Sequence, residues 1–203
     1  MNDLKKSITY AEQIYTPFGI TKENIFHNKE KVLHIGSGKA ALPGTKTIDI
    51  IDFPEVDVVH DLDIFPWPFA DNSYDLIFAH SVFEHLENQL KTMEEISRIL
   101  KPGGRLVITV PYFRCVDAFT DSTHTHFFTT QSLNYYIRGS ELSNFEYTNV
   151  KFKKIGFWYG WPHPSKNILV RLLKKIMNRY PYFYDQYLSI IFPVKILIWE
   201  LEL

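Results

Sequence analysis

The residues best suited to chemistry fall in two groups, one fit to hold a nucleoside and one fit to move a proton. The first comprises Gly36, Gly38, Asp49, Asp61 and His80. Glycine lets backbone approach a ligand with no Cβ in the way, and a carboxylate can accept hydrogen bonds from both hydroxyls of a ribose. The second is the run Asp121-Ser122-Thr123-His124-Thr125-His126. In an extended segment His124 and His126 point to the same side. Three readings stand open for them: a general base, since histidine titrates in the right range; a metal site with Asp121, with or without Cys115; or imidazoles that fix the loop. His-x-His alone lacks the three placed ligands of a catalytic metal site. No metal ligand is therefore assigned, and His124 and His126 stand as the candidate catalytic residues.

The elements that must position these groups are apolar runs, each ending at one of them. Val32-Leu33-His34-Ile35 feeds Gly36-Ser37-Gly38; Thr47-Ile48 ends in Asp49; Val56–His60 ends in Asp61; Tyr74–Ala79 ends in His80. A helix-like pattern follows over Ser81–Leu100, then Lys101-Pro102-Gly103-Gly104 and the run Arg105–Pro111. Strands alternating with helical patterns imply an α/β fold with a parallel sheet covered on both faces. In such sheets ligands bind beyond the carboxyl ends of the strands, where the glycines, the acids and His80 fall.

In the order of these pieces the chain resembles the class I S-adenosylmethionine-dependent methyltransferases, over roughly residues 30–112. Ile35-Gly36-Ser37-Gly38 stands where that family has its glycine loop, and Asp49 where it has the acid that grips the ribose. Asp61-Leu62, Phe65–Phe69 and Ser73–Ile77 resemble its adenine loop and fourth strand, and Ser81–Leu86 and Glu95–Gly104 the segments that follow. The resemblance implies a Rossmann-like, doubly wound, mostly parallel seven-stranded sheet whose last strand is antiparallel. It implies S-adenosylmethionine as cofactor, held by Gly36, Ser37, Gly38, Asp49, Ile50, Asp61, Leu62 and His80. Asp61 would accept from the adenine amino group.

One departure concerns the first crossover. Gly36 and Asp49 are 13 residues apart, against roughly 20 in the dinucleotide fingerprint. Pro43-Gly44 lies in that interval and discourages a helix, so the first crossover helix is expected to be shortened or lost. A short-linked subgroup of the family is similar in having a Pro-Gly turn there. Gly36-Ser37-Gly38-Lys39-Ala40-Ala41 also fits the nicotinamide fingerprint, but that motif needs a helix opening at once.

The 203 residues are near the size of one α/β domain. Its expected parts are an N-terminal cap over 1–30, a cofactor-binding core over 31–157, an aromatic and basic insertion over 158–193, and a final strand over 194–203. Phe145–Phe157 and Val194–Leu203 are the candidate last strands, and a helix is expected around Leu4–Tyr15. Cys115 is the single cysteine, which rules out an internal disulfide and suits a reducing, cytoplasmic setting. The start of the chain lacks the apolar core of a signal peptide, and no run approaches about 18 apolar residues.

A net charge of −1 hides an asymmetry: twelve acids and one base over residues 49–95, eight bases and no acid over 147–184. Within the basic part, Ser165–Tyr180 reads as an amphipathic helix, with Leu169, Leu172, Leu173, Ile176 and Tyr180 on one face. That face can pack on the core or, with its basic flank and the many aromatics of 157–187, lie on a membrane surface. The acceptor class expected is a small molecule, a sugar or a lipid-linked compound, methylated at oxygen, with peripheral membrane contact through 165–187 as an option. A non-catalytic cofactor- or partner-binding module is the rival reading. The near-neutral charge argues against nucleic acid.

Overall fold

Val32-Leu33-His34-Ile35 is buried at every position, as expected for a strand covered on both faces, and forms β1 (Val32–Ile35) at the centre of the sheet. The computed structural model describes residues 31–41, 44–160 and 167–203. The remaining strands are β2 (Lys46–Asp49), β3 (Val58–Val59), β4 (Tyr74–His80), β5 (Leu100–Pro111), β6 (Lys153–Tyr159) and β7 (Ile196–Glu202). They form one seven-stranded sheet in the order β3-β2-β1-β4-β5-β7-β6. β1 to β5 pair in parallel, whereas β7 lies antiparallel between β5 and β6. The carboxyl ends of β1, β2, β4 and β5 therefore share one edge, and every candidate cofactor residue lies along it.

The β1–β2 connection has no helix among its described residues. Ala40 N–H donates to Ser37 O in a turn, so no helix opens at the second glycine as the nicotinamide motif requires. Pro43, the expected N-terminal cap over 1–30 with its Leu4–Tyr15 helix, and part of the insertion (161–166) lie outside the described residues.

Two boundaries differ from those expected. The helix after β4, expected over Ser81–Leu100, is α1 (Gln89–Ile99) alone. Ser81 takes a left-handed φ of 50°, and the side chain of Asn88 caps α1 by accepting from Lys91 N–H at 3.0 Å. Between them the chain is held by Asp63, whose carboxylate accepts from Glu87 N–H at 3.0 Å and Asn88 N–H at 3.3 Å. The sixth strand, expected over Phe145–Phe157, begins only at Lys153. Leu142–Phe145 is a 3-10 turn ended by Glu146 at φ 54°, which breaks the extended run.

Beyond β6, α2 (Ile168–Arg179) rests on the core through buried Met177 and half-buried Leu173. A turn at Pro181–Phe183 runs into a π-helical Tyr184–Leu188. Buried Asp185 fixes this segment to the sheet. Its carboxylate accepts from Tyr112 Oη at 2.8 Å, Tyr159 Oη at 3.0 Å and Thr130 N–H at 3.2 Å, and also from the Thr130 hydroxyl. No helix among the described residues is long and apolar enough to cross a membrane.

Candidate active site

The glycine loop folds back onto β2. Gly36, at φ 60°, donates its N–H to Ile48 O at 2.9 Å. Gly38, at φ 49°, donates to Asp49 Oδ2 at 2.8 Å, and Ile51 N–H donates to Asp49 Oδ1 at 2.9 Å. The Asp49 carboxylate is thus fixed at the strand end, and each oxygen keeps a lone pair for a ribose hydroxyl. A Cβ built on Gly38 meets nothing within 4 Å, so the space before it is open. Among the described residues the buried Ser37 hydroxyl has no hydrogen-bond partner. An orphaned hydroxyl beside an open glycine and a fixed carboxylate suits a ligand that brings its own polar groups.

Neighbouring loops continue this edge. Ile50 is exposed beside Asp49. Asp61 Oδ1 accepts from Asp63 N–H at 3.0 Å, while Leu62 is buried and its carbonyl accepts from Trp67 Nε1 at 2.9 Å. His80 ends β4 with Nδ1 hydrogen-bonded to the Thr109 hydroxyl on β5. Burial holds its imidazole down to about 4, so it is neutral at pH 7.

The loop from Ser81 to His85 is a wall shared by two spaces. On one side Val82 meets the glycine loop: a Cβ on Gly36 would stand 2.3 Å from Val82 Cγ2. On the other, Ser81, Glu84 and His85 line an open cleft of about 610 Å³, together with Pro111, Asp121 and His124. Thr125 N–H and His126 N–H both donate to Glu84 O, at 2.8 and 3.1 Å, which stitches the histidine loop to this wall. The rings of His85 and His124 lie edge to face, 4.7 Å between centroids. Burial, then the neighbouring His124, holds the His85 imidazole below its ordinary value. Asp121 is held below the usual carboxylate range by the hydroxyl and N–H of Thr123.

Comparison with known proteins agrees with this fold. Residues 36–108 match the family model described as a methyltransferase domain. A structure of a S-adenosylmethionine-dependent methyltransferase from Archaeoglobus fulgidus superposes over 95% of this chain and 97% of its own, with a TM-score of 0.52 at 14% identity. The fold is that of the class I S-adenosylmethionine-dependent methyltransferases, and residues 36–108 are similar to a methyltransferase domain. Among curated relatives, a dimethylglycine N-methyltransferase from Parasynechococcus marenigrum is 42% identical over 53 residues, 26% of this chain and 19% of its own. A malonyl-[acyl-carrier protein] O-methyltransferase from Coxiella burnetii is 45% identical over 42 residues, 21% of this chain and 15% of its own. The matched segments thus span about a fifth or less of these relatives' length.

S-adenosylmethionine is the cofactor that the matched domain and the fold imply, and the open Gly38, the orphaned Ser37 hydroxyl and fixed Asp49 fit it. The candidate catalytic pair divides. His124 lines the cleft, whereas His126 is not among the lining residues and its Nδ1 pairs with the hydroxyl of Thr125 at 3.0 Å. His85, read from the sequence as lying on a helix, sits in the turn before α1 and faces His124. Glu84, which sequence reasoning passed over, is buried in the same wall. The signal available was a Glu-His pair directly after a strand end.

Proposed function

We propose that this methyltransferase transfers the methyl group of S-adenosylmethionine to the hydroxyl oxygen of a small molecule seated in the cleft beside Ser81, Glu84, His85 and His124. The cofactor supplies a methyl group on a sulfonium, which is already a good leaving group. The chain supplies position, exclusion of water and a place for the acceptor's proton. Asp49 and the glycine loop hold one partner and the cleft holds the other, with Ser81–His85 between them.

The observation that carries the acceptor reading is the pinned His124 ring. Its Nδ1 lies 2.9 Å from Ala118 O, and a carbonyl only accepts, so Nδ1 carries the proton and Nε2 keeps the lone pair. We assign the proton-handling role to the His85–His124 pair, with His126 holding the loop. Curated relatives include both an N- and an O-methyltransferase; the imidazole pair favours oxygen, because a hydroxyl must lose its proton as it is methylated.

The finer acceptor class we favour is a sugar or lipid-linked compound met at a membrane surface. It is supported by the apolar face of α2, where Leu169 is 72% exposed and Ile168, Leu172 and Ile176 are exposed with it, next to Arg171, Lys175 and Arg179. The test is transfer of labelled methyl from S-adenosylmethionine to fractionated polar and lipid extracts. Label should enter one fraction with wild type and fall at least about a hundredfold with His124→Ala. Label in no fraction, or equal label from His124→Ala, would overturn the reading.

A further inference from the structure

The cleft holds an arrangement that proton handling alone leaves unexplained. Glu84, His85 and His124 each bring one ligand atom to within 4.8 Å of the other two. Glu84 is 1% exposed, and among the described residues neither carboxylate oxygen has a hydrogen-bond partner from another residue. Buried carboxylates are normally paired, hydrogen-bonded or bound to metal, because an unpaired buried charge loses its hydration for nothing in return. Burial, reinforced by the Asp121 charge, accordingly pushes the Glu84 carboxyl up to about 7.

Both imidazoles are set from behind. The His124 Nδ1–H donates to Ala118 O at 2.9 Å. Thr123 Oγ1 lies 2.7 Å from Asp121 Oδ1 and 2.8 Å from His85 Nδ1. Its one proton goes to the carboxylate, so the hydroxyl oxygen accepts from His85 Nδ1–H. Each ring is left with Nε2 as its lone-pair atom. A ring N–H held by a carbonyl, or through a hydroxyl by a carboxylate, is the outer arrangement that fixes metal-binding histidines.

We propose that Glu84, His85 and His124 form a binding site for a divalent first-row transition cation of the zinc type, with an open coordination position toward the cleft. Two imidazole nitrogens and one carboxylate suit such an ion and do not suit magnesium or calcium, which take oxygen shells. Bonds of about 2.0–2.1 Å in a tetrahedron place ligands roughly 3.4 Å apart. The three groups must therefore draw together by about 1.5 Å at most, and Glu84 breaks no side-chain hydrogen bond in doing so. Three protein ligands and an open position describe a catalytic rather than a structural site. The site rests on these three side chains; with both Nε2 lone pairs on the ion, the pair handles the acceptor's proton through a cation that acidifies the bound hydroxyl and not as a free base, a use that rests on the methyl-transfer reading.

The test is a titration of metal-stripped, tag-free protein with Co²⁺, read by visible absorption, and with Zn²⁺ in a calorimeter, both without cofactor. One equivalent should bind at micromolar concentration or tighter, with Co²⁺ bands of a low-coordinate nitrogen and oxygen site. Because even outer partners of a metal ligand are worth about 10–100-fold, His85→Ala, His124→Ala and Glu84→Gln should each weaken binding roughly a hundredfold or more. S-adenosylhomocysteine binding, measured on each variant, shows that the fold is intact and keeps failure of the metal site separate from failure of the cofactor site. No stoichiometric uptake by wild type, or undiminished uptake by folded His85→Ala and His124→Ala, would overturn the proposal.

Discussion

His85 and His124 come from loops after different strands, yet their rings meet edge to face, 4.7 Å apart at 71°. Each imidazole has Nδ1 committed to the chain behind it, so the pair works as a unit at the cleft. Groups that act as a unit lose function together rather than additively. His85→Ala and His124→Ala should each lower kcat by about 10²–10⁴, and the double variant little further. Steady-state kinetics with the acceptor that takes up label from the extracts checks this; strictly additive losses would separate the two roles.

The two loop glycines should fail in different ways. Alanine at 36 would place Cβ 2.3 Å from Val82 Cγ2, in a backbone with φ 60°. Val82 is β-branched and buried, so it has little room to yield. Gly36→Ala should destabilise the fold by about 3 kcal/mol or more, combining overpacking with left-handed strain. Gly38→Ala meets open space at φ 49° and should lose only about 1–2 kcal/mol while weakening cofactor binding. Urea melts alongside S-adenosylhomocysteine binding distinguish the two.

Acid should destabilise the protein through its sheet histidines. Complete burial, then the neighbouring His80, holds His34 down to about 3, and burial holds His80 down to about 4. In the unfolded chain both take up protons near 6.5, so below that pH the unfolded state binds more protons than the native one. The stability they contribute is complete above pH 6.5 and is lost progressively as pH falls toward the folded values. Between pH 6.5 and 5 the loss is about 2 kcal/mol per histidine. Urea melts at the two pH values should show it, and His34→Leu should remove roughly half.

Asp185 ties the segment after α2 to β5 and β6. Replacing it with alanine leaves Tyr112 Oη, the Thr130 N–H and the Thr130 hydroxyl without their shared acceptor, while Tyr159 Oη keeps Pro181 O at 3.0 Å. At about 1–3 kcal/mol for each buried group left unsatisfied, Asp185→Ala should lose about 3 kcal/mol or more, and Asp185→Asn less. Thermal melts of the two variants check the order.

What could be read in the sequence followed from the parallel sheet. A strand buried on both faces reads as an unbroken apolar run, as Val32–Ile35 does, and its last residues fall at the ligand edge without further information. Gly38 and Asp49 could therefore be paired before their hydrogen bond was seen. Glu84 was hidden, and His85 was read as a helix residue that packs or lines the pocket, because Val82, Phe83 and Leu86 continue the helical spacing of α1, although these residues form a turn. The left-handed Ser81 and the grip of Asp63 on Glu87 and Asn88 break that helix, and neither has a local signature. The meeting of His124 with Glu84 depends on two loops crossing, which no spacing encodes. For α2 the apolar stripe was legible but its direction was not: Met177 and Leu173 reach the core, while Leu169 and Leu172 stay exposed.

The central claim is that the glycine loop and Asp49 hold S-adenosylmethionine. Calorimetric titration with S-adenosylhomocysteine, with Asp49→Ala and NAD as controls, tests it most directly. Micromolar binding by wild type, lost or weakened at least about tenfold in Asp49→Ala and absent for NAD, is the result expected. No heat with S-adenosylhomocysteine, or equal binding by Asp49→Ala, would contradict it.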